Sequence, residues 1–492
     1  MATLTSVKQL IQSLSKAEKR SFKLFSSLLE GEKDYMKLYD ILADPKTTSE
    51  SAADSYKLMC SASEIDATCN YLYIIIIKSL KVLNQKIEID DQLLSDIQEV
   101  RILFRKGLSE QGFRLLEKLR KTAMEYEKFA YALIIDKMLL HYQTRFQFKG
   151  LTESELIKIQ NRLRKNISYE LNLADHSALY ELLYHRYLID GVTRSQKEKE
   201  KLNDLVVSEM NIAGNPRYQS FELKKNHLLF QSVYFMMTGD HKSSLGTYYE
   251  LSILFEENMQ LWNNPPISYI NHIRGILNNL HATGQYSEMD FFIGKLKKLE
   301  KDNRLISIRQ SIYCAELKMF MGLKNYASAF NIIESNTEFT VKAIQLTSID
   351  RAEVIFYTSI CYIIQKQFHK AANILSNVIH LENLENDQLR RELRLINLIV
   401  HFHLHDYNYL LSEIRSLERE LKQNKKNYLT EKIIFNLIKK YPLALSRSTK
   451  NKLVDHTMEQ LHLLVESSYE KHLFRVFDFV EWIKSIHFDS SS

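Results

Sequence analysis

Between about Leu228 and Glu420 the chain repeats one pattern of apolar and polar positions five times. Each copy carries an aromatic residue or a histidine directly after a short polar turn. These five marker positions are His241, Tyr286, Tyr326, Phe368 and Tyr407. Consecutive markers are 45, 40, 42 and 39 residues apart. This spacing is typical of proteins built from repeated pairs of helices, so the pattern predicts a row of helical hairpins.

The residues around each marker indicate which faces of these helices are buried. Six residues before the markers lie Phe235, Leu280, Phe320, Tyr362 and His401. Three residues after them lie Ser244, Met289, Ala329, Ala371 and Leu410. Seven residues after them lie Tyr248, Ile293, Ile333, Leu375 and Ile414. Offsets of three and seven fall on one face of an α-helix, so the second helix of each hairpin is predicted to bury a continuous apolar stripe.

The turns and the segments that follow them resemble the tetratricopeptide family of helical repeats. The resemblance lies in G-D-H at Gly239, G-Q-Y at Gly284, Y-A-S-A-F at Tyr326 and F-H-K-A-A at Phe368. The units here are longer than the family's period of about 34 residues. Three residues replace the turn glycine in the later copies: Lys324, Lys366 and His405. The resemblance covers roughly 40% of the chain and implies a helical-repeat shape without identifying a partner.

The rest of the chain is predicted to be helical as well. The segment S-L-S-K-A-E-K-R-S-F-K-L-F, which begins at Ser13, resembles the start of a group of uncharacterised bacterial helical-repeat proteins. We predict an all-α fold, an α-solenoid of antiparallel helix hairpins with N- and C-terminal helical caps. Its four parts are an N-terminal helical segment (1–43), an irregular helical region with a candidate degenerate repeat (56–215), the tetratricopeptide-like repeats (216–440) and C-terminal capping helices (441–492).

Local signals refine this division. Ser15 with Glu18, and Thr152 with Glu155, have the spacing of a capping box, in which each side chain accepts a hydrogen bond from a free backbone N–H at a helix start. Residues 44–55 are polar and read as a linker. Separate helices are predicted over 151–173, 176–190 and 195–210. A closing pair of helices is predicted over 443–488.

Composition supports helices and argues against several other classes. Twelve glycines and five prolines in 492 residues are too few for the many turns of a sheet-rich fold. The four cysteines (Cys60, Cys69, Cys314 and Cys361) have no paired spacing, so we expect neither a disulfide framework nor a zinc site. The most apolar run, residues 71–77, is too short to cross a membrane. These features predict a soluble, cytoplasmic protein.

The histidines His401, His403 and His405 are the first candidates for chemistry. Positions 401 and 405 share a helical face, but a zinc site needs a third ligand and no such motif surrounds them. The favoured interpretation places His401 in the aromatic position of its repeat and His405 in the turn. No phosphate loop, nucleophile motif or carboxylate cluster is present. We therefore predict no catalytic, cofactor or metal residues and no enzyme activity.

The segment from Lys422 to Lys452 is the second candidate, because its net charge is +8 while that of the whole chain is +6. Seven of its cations are candidate partner-binding residues: Lys422, Lys425, Lys426, Lys439, Lys440, Arg447 and Lys450. The aromatic residues Tyr428, Phe435 and Tyr441 lie among them. One interpretation is a surface for nucleic acid or an acidic partner. The other is a solvated outer face whose aromatic residues point inward.

These observations predict a non-catalytic interaction scaffold or adaptor. The concave side of the stack, lined by the first helix of each hairpin, would hold a peptide or protein partner. The alternative is a nucleic-acid-associated or regulatory protein that uses the basic 422–452 segment. We expect no cofactor and no association with a membrane.

Overall fold

The computed structural model describes residues 2–29, 34–44, 65–84, 88–213, 220–262, 266–302, 305–337, 339, 346–379, 387–424, 426, 428–467 and 469–489. Within these ranges every regular element is a helix and there is no strand, which confirms the predicted all-α class. The chain forms two compact units, Met1–Ile167 and Ser168–Ser492. The finer division into four parts stays a prediction, and most of the predicted linker, residues 45–55, lies outside the described residues.

The first unit contains seven helices within its described residues and the start of an eighth. They are α1 (Leu4–Ser13), α2 (Lys16–Ser27), α3 (Asp34–Ala43), α4 (Ile65–Asn84), α5 (Ile89–Arg105), α6 (Ser109–Glu125), α7 (Phe129–Arg145) and α8 (Glu153–Asp190). Both predicted capping signals are present. The Ser15 hydroxyl accepts from the Glu18 N–H at 3.2 Å, and the Glu18 carboxylate accepts from the Ser15 N–H at 2.7 Å. Thr152 and Glu155 form the same reciprocal pair.

The second unit begins within α8. Its helices as far as the first three hairpins are α9 (Gln196–Glu200), α10 (Asn203–Ala213), α11 (Phe221–Met237), α12 (His241–Glu257), α13 (Met259–Trp262), α14 (Ile267–Thr283), α15 (Tyr286–Asp302), α16 (Ile306–Gly322) and α17 (Tyr326–Ser335). The remaining ones are α18 (Ser348–Ile364), α19 (Phe368–Ile379), α20 (Asp387–His403), α21 (Tyr407–Gln423), α22 (Leu429–Lys440), a 3₁₀ turn (Tyr441–Leu443), α23 (Arg447–Val465), α24 (Lys471–Val476) and α25 (Phe479–Asp489).

Each marker residue is the first residue of the second helix in its hairpin. The helices α12, α15, α17, α19 and α21 begin at the five predicted markers. The first helices, α11, α14, α16, α18 and α20, are each 17 residues long. The sequence pattern therefore located the start of every second helix in this part of the chain.

One turn geometry joins the two helices of every hairpin. The residue two positions before the marker has a left-handed backbone, with φ between 56° and 77° at Gly239, Gly284, Lys324, Lys366 and His405. The next N–H then donates to the carbonyl five residues earlier, over 2.8 to 3.1 Å. This bond satisfies a carbonyl that the end of the first helix leaves free, as in a Schellman motif.

The same turn also occurs in the first unit. Between α5 and α6, Gly107 has a left-handed backbone and the Leu108 N–H donates to Leu103 at 2.9 Å. Between α6 and α7, Glu127 has a left-handed backbone and the Lys128 N–H donates to Ala123 at 2.7 Å. The candidate degenerate repeat around α6 thus shares its turn geometry with the regular copies.

Neighbouring hairpins pack through their first helices and through the marker residues. In the second unit α14 contacts α16, α16 contacts α18, and α18 contacts α20. The Nδ1–H of His241 donates a hydrogen bond to the side-chain oxygen of Asn279 in the next hairpin (3.0 Å), and Phe368 stacks on His403 with ring centroids 4.1 Å apart. Each marker of this kind ties one hairpin to the following one.

Glycine permits the closest of these approaches. A Cβ atom on Gly275 of α14 would lie 2.2 Å from the ring of Tyr248, which is buried between the hairpins. A Cβ atom on Gly322 would lie 2.2 Å from the ring of the marker Tyr286. Both glycines have ordinary helical backbone conformations. What matters at these positions is therefore the absence of a side chain, which leaves room for the tyrosine rings.

Three predicted boundaries differ from the structure. The two helices predicted over 151–173 and 176–190 are one continuous helix, α8 (Glu153–Asp190), because no glycine or proline interrupts the chain within it. Residues 195–210 fall in two helices, α9 and α10, separated by a turn at Lys201 and Leu202. The closing pair predicted over 443–488 is instead the three helices α23, α24 and α25.

We predict that Gly275→Ala destabilises the protein, whereas Gly246→Ala stabilises it. The new methyl at 275 overlaps a buried ring, and such overpacking costs about 1 to 3 kcal/mol. Gly246 also lies in a helix but has open space around it, so alanine there gains about 0.5 to 1 kcal/mol of helix stability. Urea unfolding of the two variants measures both shifts, and equal shifts would contradict the packing described here.

Candidate functional site

A network of largely buried charges links three consecutive first helices, the helices that the sequence predicted to line a binding groove. Lys318 of α16 donates to Glu353 of α18 at 2.8 Å. Arg274 of α14 donates to Glu353 at 3.1 Å and to Asp350 at 3.2 Å. Gln310 adds a further hydrogen bond to Glu353 at 2.9 Å. These contacts join three hairpins through their polar side chains.

The opposite charges of this network keep one another ionised, although burial by itself would favour the neutral forms. Burial alone would raise the pKa of Glu353, but Lys318 and Arg274 together lower it to about 2. Burial alone would lower the pKa of Lys318, but the attraction of Glu353 outweighs it and the pKa rises above its usual value. Both side chains therefore keep their charge, and the network has a fixed ionisation state at neutral pH.

Arg194 is the centre of a second buried cluster. It lies on the connection between α8 and α9 and contacts residues from near the end of the chain. Its guanidinium donates to both oxygens of Glu431, at 2.5 and 2.8 Å, and to the Glu470 carboxylate. It also stacks on the ring of Tyr428, 3.7 Å from the centroid. The Arg194 side chain is only 5% exposed, so one cation holds two buried carboxylates that are far apart in sequence.

The chain's own segments contact the face that was predicted to form the groove. Helix α24 packs against α14. Burial lowers the pKa of His281 on α14 to about 3, and the nearby charges of Lys318 and of Arg475 on α24 lower it further. On another first helix, the Val192 N–H donates to the Gln388 side chain at 3.1 Å. A partner on this face would therefore have to displace residues of the protein itself.

Glu392 of α20 is an acid whose charged form is disfavoured. Burial is the main cause and raises its pKa to about 7, although a hydrogen bond from Gln388 (2.8 Å) and the charge of Arg391 act in the opposite direction. The small cavity beside it, about 30 Å³ and lined in part by Arg194 and Tyr428, has room for about one water molecule. No substrate-sized space adjoins this acid in that cavity.

The seven predicted partner-binding cations do not share one environment in the structure. Lys426 turns inward and pairs with Asp190 at 3.0 Å and Glu198 at 3.3 Å, in the wall of a depression of about 330 Å³. Lys439 pairs with Glu418 at 2.6 Å. Lys422 is exposed near the end of α21. Lys425 lies outside the described residues, and the other three occupy the junction between α22 and α23.

This junction is a basic surface that we call the α22–α23 surface, formed by Lys439, Lys440, Leu443, Leu445, Arg447 and Lys450. Lys440 and Arg447 are exposed and, within the described part of the chain, form no ion pair. Lys450 lies over the ring of Tyr441, with its Nζ atom 5.0 Å from the centroid. The surface thus carries cations whose charge is directed to solvent.

Two leucines on this surface were not predicted from the sequence to matter. Leu443 is 76% exposed and Leu445 is fully exposed, since Leu443 ends the 3₁₀ turn and Leu445 lies on the short connection between this turn and α23. By contrast, Tyr428 and Phe435 of the same basic segment are buried. The segment Pro-Leu-Ala-Leu-Ser at 442–446 interrupts the helical pattern of apolar positions. This interruption was the signal in the sequence that the two leucines lie outside a buried helical face.

The candidate histidines do not converge on a common point. His403 accepts a hydrogen bond from the Trp482 indole at 2.9 Å, and His401 packs on Tyr409 with ring centroids 4.1 Å apart. His405 has the left-handed backbone of the turn, as predicted. The arrangement gives these three side chains separate structural contacts.

Comparison with protein-family models, with curated proteins and with solved structures gives no match to this chain. Among the helices that the structure describes, none combines the length and the apolar character that crossing a bilayer requires. The resemblance to tetratricopeptide repeats therefore stays a prediction.

We expect Arg194→Ala to destabilise the protein by about 3 to 5 kcal/mol, because it leaves Glu431 and Glu470 buried without a cation. Arg194→Lys keeps the charge but loses the paired hydrogen bonds, so its loss should be smaller. Chemical denaturation measures both. Arg415→Ala, at an exposed position on α21, is the control and should change stability by less than about 0.5 kcal/mol.

We expect Glu392→Gln to stabilise the protein at pH 8 but not at pH 4. The folded-state pKa of Glu392, about 7, lies above the usual value near 4.5. The native state therefore binds an extra proton between these values, and stability falls as the pH rises through this window. The amide removes that loss, which amounts to about 1 to 3 kcal/mol above pH 7. Urea unfolding at both pH values measures the difference, and the exposed Glu250→Gln should show none.

Proposed function

We propose that this protein is a non-catalytic interaction scaffold, built as an α-solenoid of helix hairpins with helical caps, that binds an acidic protein partner. Support for the architecture comes from the shared turn geometry, the equal first helices and the contacts between successive hairpins. The tetratricopeptide-like character of residues 216–440 is part of this proposal. Helices α23 to α25 would form the C-terminal cap.

The exposure of Leu443 and Leu445 among cations is the observation that carries the proposal. An apolar side chain that is fully exposed gains about 1.5 to 3 kcal/mol when a partner covers it. The surrounding lysines and arginine attract a negatively charged partner and orient it before contact. The α22–α23 surface therefore suits an acidic segment with two apolar side chains at matching positions.

The predicted groove is a less accessible place for that partner. The inner face of the first helices carries buried ion pairs and contacts α24, so a peptide binding there would have to break charge pairs such as Lys318 with Glu353. Breaking a buried pair is costly because one charge is left without its partner. We place the primary contact on the α22–α23 surface for this reason.

Nucleic acid is the alternative partner for the same cations. Single-stranded nucleic acid is held by aromatic side chains on which bases stack as well as by cations. Tyr428 and Phe435 are buried, and the half-buried ring of Tyr441 is already packed against Phe402 and covered by Lys450. The most exposed apolar side chains of the surface are leucines. The chemistry of the surface thus favours an acidic protein segment.

The test uses two fluorescein-labelled probes, a synthetic peptide with glutamates and two leucines spaced three residues apart, and a 20-nucleotide single-stranded RNA. Fluorescence anisotropy of the full chain should show salt-sensitive binding of the peptide. Leu445→Asp combined with Arg447→Glu should weaken that binding by about 10- to 100-fold, because an apolar contact and a favourable charge are both lost.

The control reverses two exposed lysines elsewhere, Lys242→Glu with Lys298→Glu, and should leave peptide affinity within about twofold. Tighter binding of the RNA than of the peptide, lost in the same surface variant, would instead establish the nucleic-acid alternative. Peptide binding that is equally strong in the surface variant and the control would refute a role for this surface.

A further inference from the structure

Three potential metal ligands from three helices meet inside the second unit. His176 lies on α8, Glu209 on α10 and His227 on α11. One ligand atom from each, an imidazole nitrogen or a carboxylate oxygen, lies within 4.8 Å of the other two. His176 and Glu209 are almost completely buried, with 2% and 4% of their surfaces exposed.

The distances suit a single small cation. The His176 Nδ1 atom lies 3.6 Å from a Glu209 oxygen, and the other Glu209 oxygen contacts His227 Nδ1. Two ligands of a tetrahedral zinc ion, each about 2.0 to 2.1 Å from the metal, are separated by about 3.3 Å. Side-chain shifts of about an ångström would therefore place all three atoms at ligand distance.

The site also contains buried polar atoms that lack a hydrogen bond. Within the described residues, neither His176 Nδ1 nor Glu209 Oε2 has a hydrogen-bond partner, although both atoms are inaccessible to solvent. A buried polar atom that stays unpaired lowers the stability of the folded state. The two atoms face each other across 3.6 Å, a distance too long for a good hydrogen bond, so one cation bound by both would satisfy both.

We propose that His176, Glu209 and His227 bind one divalent zinc ion. Two imidazoles and one carboxylate are a known zinc ligand set, and three protein ligands leave a fourth position for water or another donor. Magnesium and calcium prefer sets made of oxygen atoms alone, which this site does not offer. The bound ion would fix α10 and α11 onto α8.

Gln231 can hold the His227 ring in place, as a metal-binding histidine usually forms a hydrogen bond through its other ring nitrogen. Its side-chain amide lies 3.1 Å from His227 Nε2, the nitrogen on the far side of the ring from the proposed ligand atom. With the amide oxygen turned to this nitrogen, the N–H of the ring would donate to it and the ring would be held for binding through Nδ1. Gln231 is thus a positioning residue for the site.

The experiment titrates the metal-free full chain with zinc chloride by isothermal calorimetry. We expect one zinc ion per chain, and about 100-fold weaker binding in Glu209→Gln and in His176→Gln, since each loses a ligand. His185→Gln, at an exposed histidine on the same helix as His176, should bind like the wild type. Gln231→Ala should bind about 10- to 100-fold more weakly, because it removes the outer contact of a ligand.

Cobalt(II) gives a spectroscopic readout on the unmodified protein, which covers the case in which a ligand variant fails to fold. The cobalt-loaded chain should show the intense visible absorption of a four- or five-coordinate ion, and one equivalent of zinc should remove it. Zinc affinity that Glu209→Gln and Gln231→Ala leave unchanged, or the absence of this absorption, would overturn the proposal. The same holds if zinc binding is lost in His185→Gln.

Discussion

The hydrogen-bonded turn between paired helices is the constraint on which the rest of the second unit depends. One N–H donates across the end of the first helix, and a left-handed residue makes this bond possible. The turn fixes the residue at which the second helix starts, and hence which of its side chains meet the next hairpin. Glycine suits the left-handed position best, yet lysine or histidine occupies it in three copies, so the packing on either side determines the turn as much as its composition does.

Contacts between hairpins follow from this geometry. The marker side chains reach the first helix of the following hairpin, as His241 does at Asn279 and Phe368 does at His403. The closest approach, of Tyr248 to Gly275, leaves no room for a side chain on α14. Neighbouring hairpins thus contribute side chains to shared buried clusters.

Buried charges decide which surfaces remain for partners. Lys318, Glu353 and Arg274 neutralise one another across the first helices α14, α16 and α18, and Arg194 joins the beginning of the second unit to residues near its end. These buried charged groups therefore pair with one another and are not available to a partner. The α22–α23 surface differs, because its cations and its two leucines face solvent. The His176, Glu209 and His227 cluster differs in another way, because two of its buried atoms, His176 Nδ1 and Glu209 Oε2, have no hydrogen-bond partner among the residues that the structure describes.

The sequence by itself determined the helical class, the start of each second helix and the capping boxes, because these depend on residues a few positions apart. It did not determine that α8 is one continuous helix, since the absence of a breaking residue gives no positive signal. Nor could it separate Lys426, which pairs with Asp190, from Lys440, which faces solvent, because the partners of the first pair are 236 positions apart in the sequence. The meeting of His176, Glu209 and His227 was likewise decided only by tertiary structure, which brings three helices together where no short motif connects them.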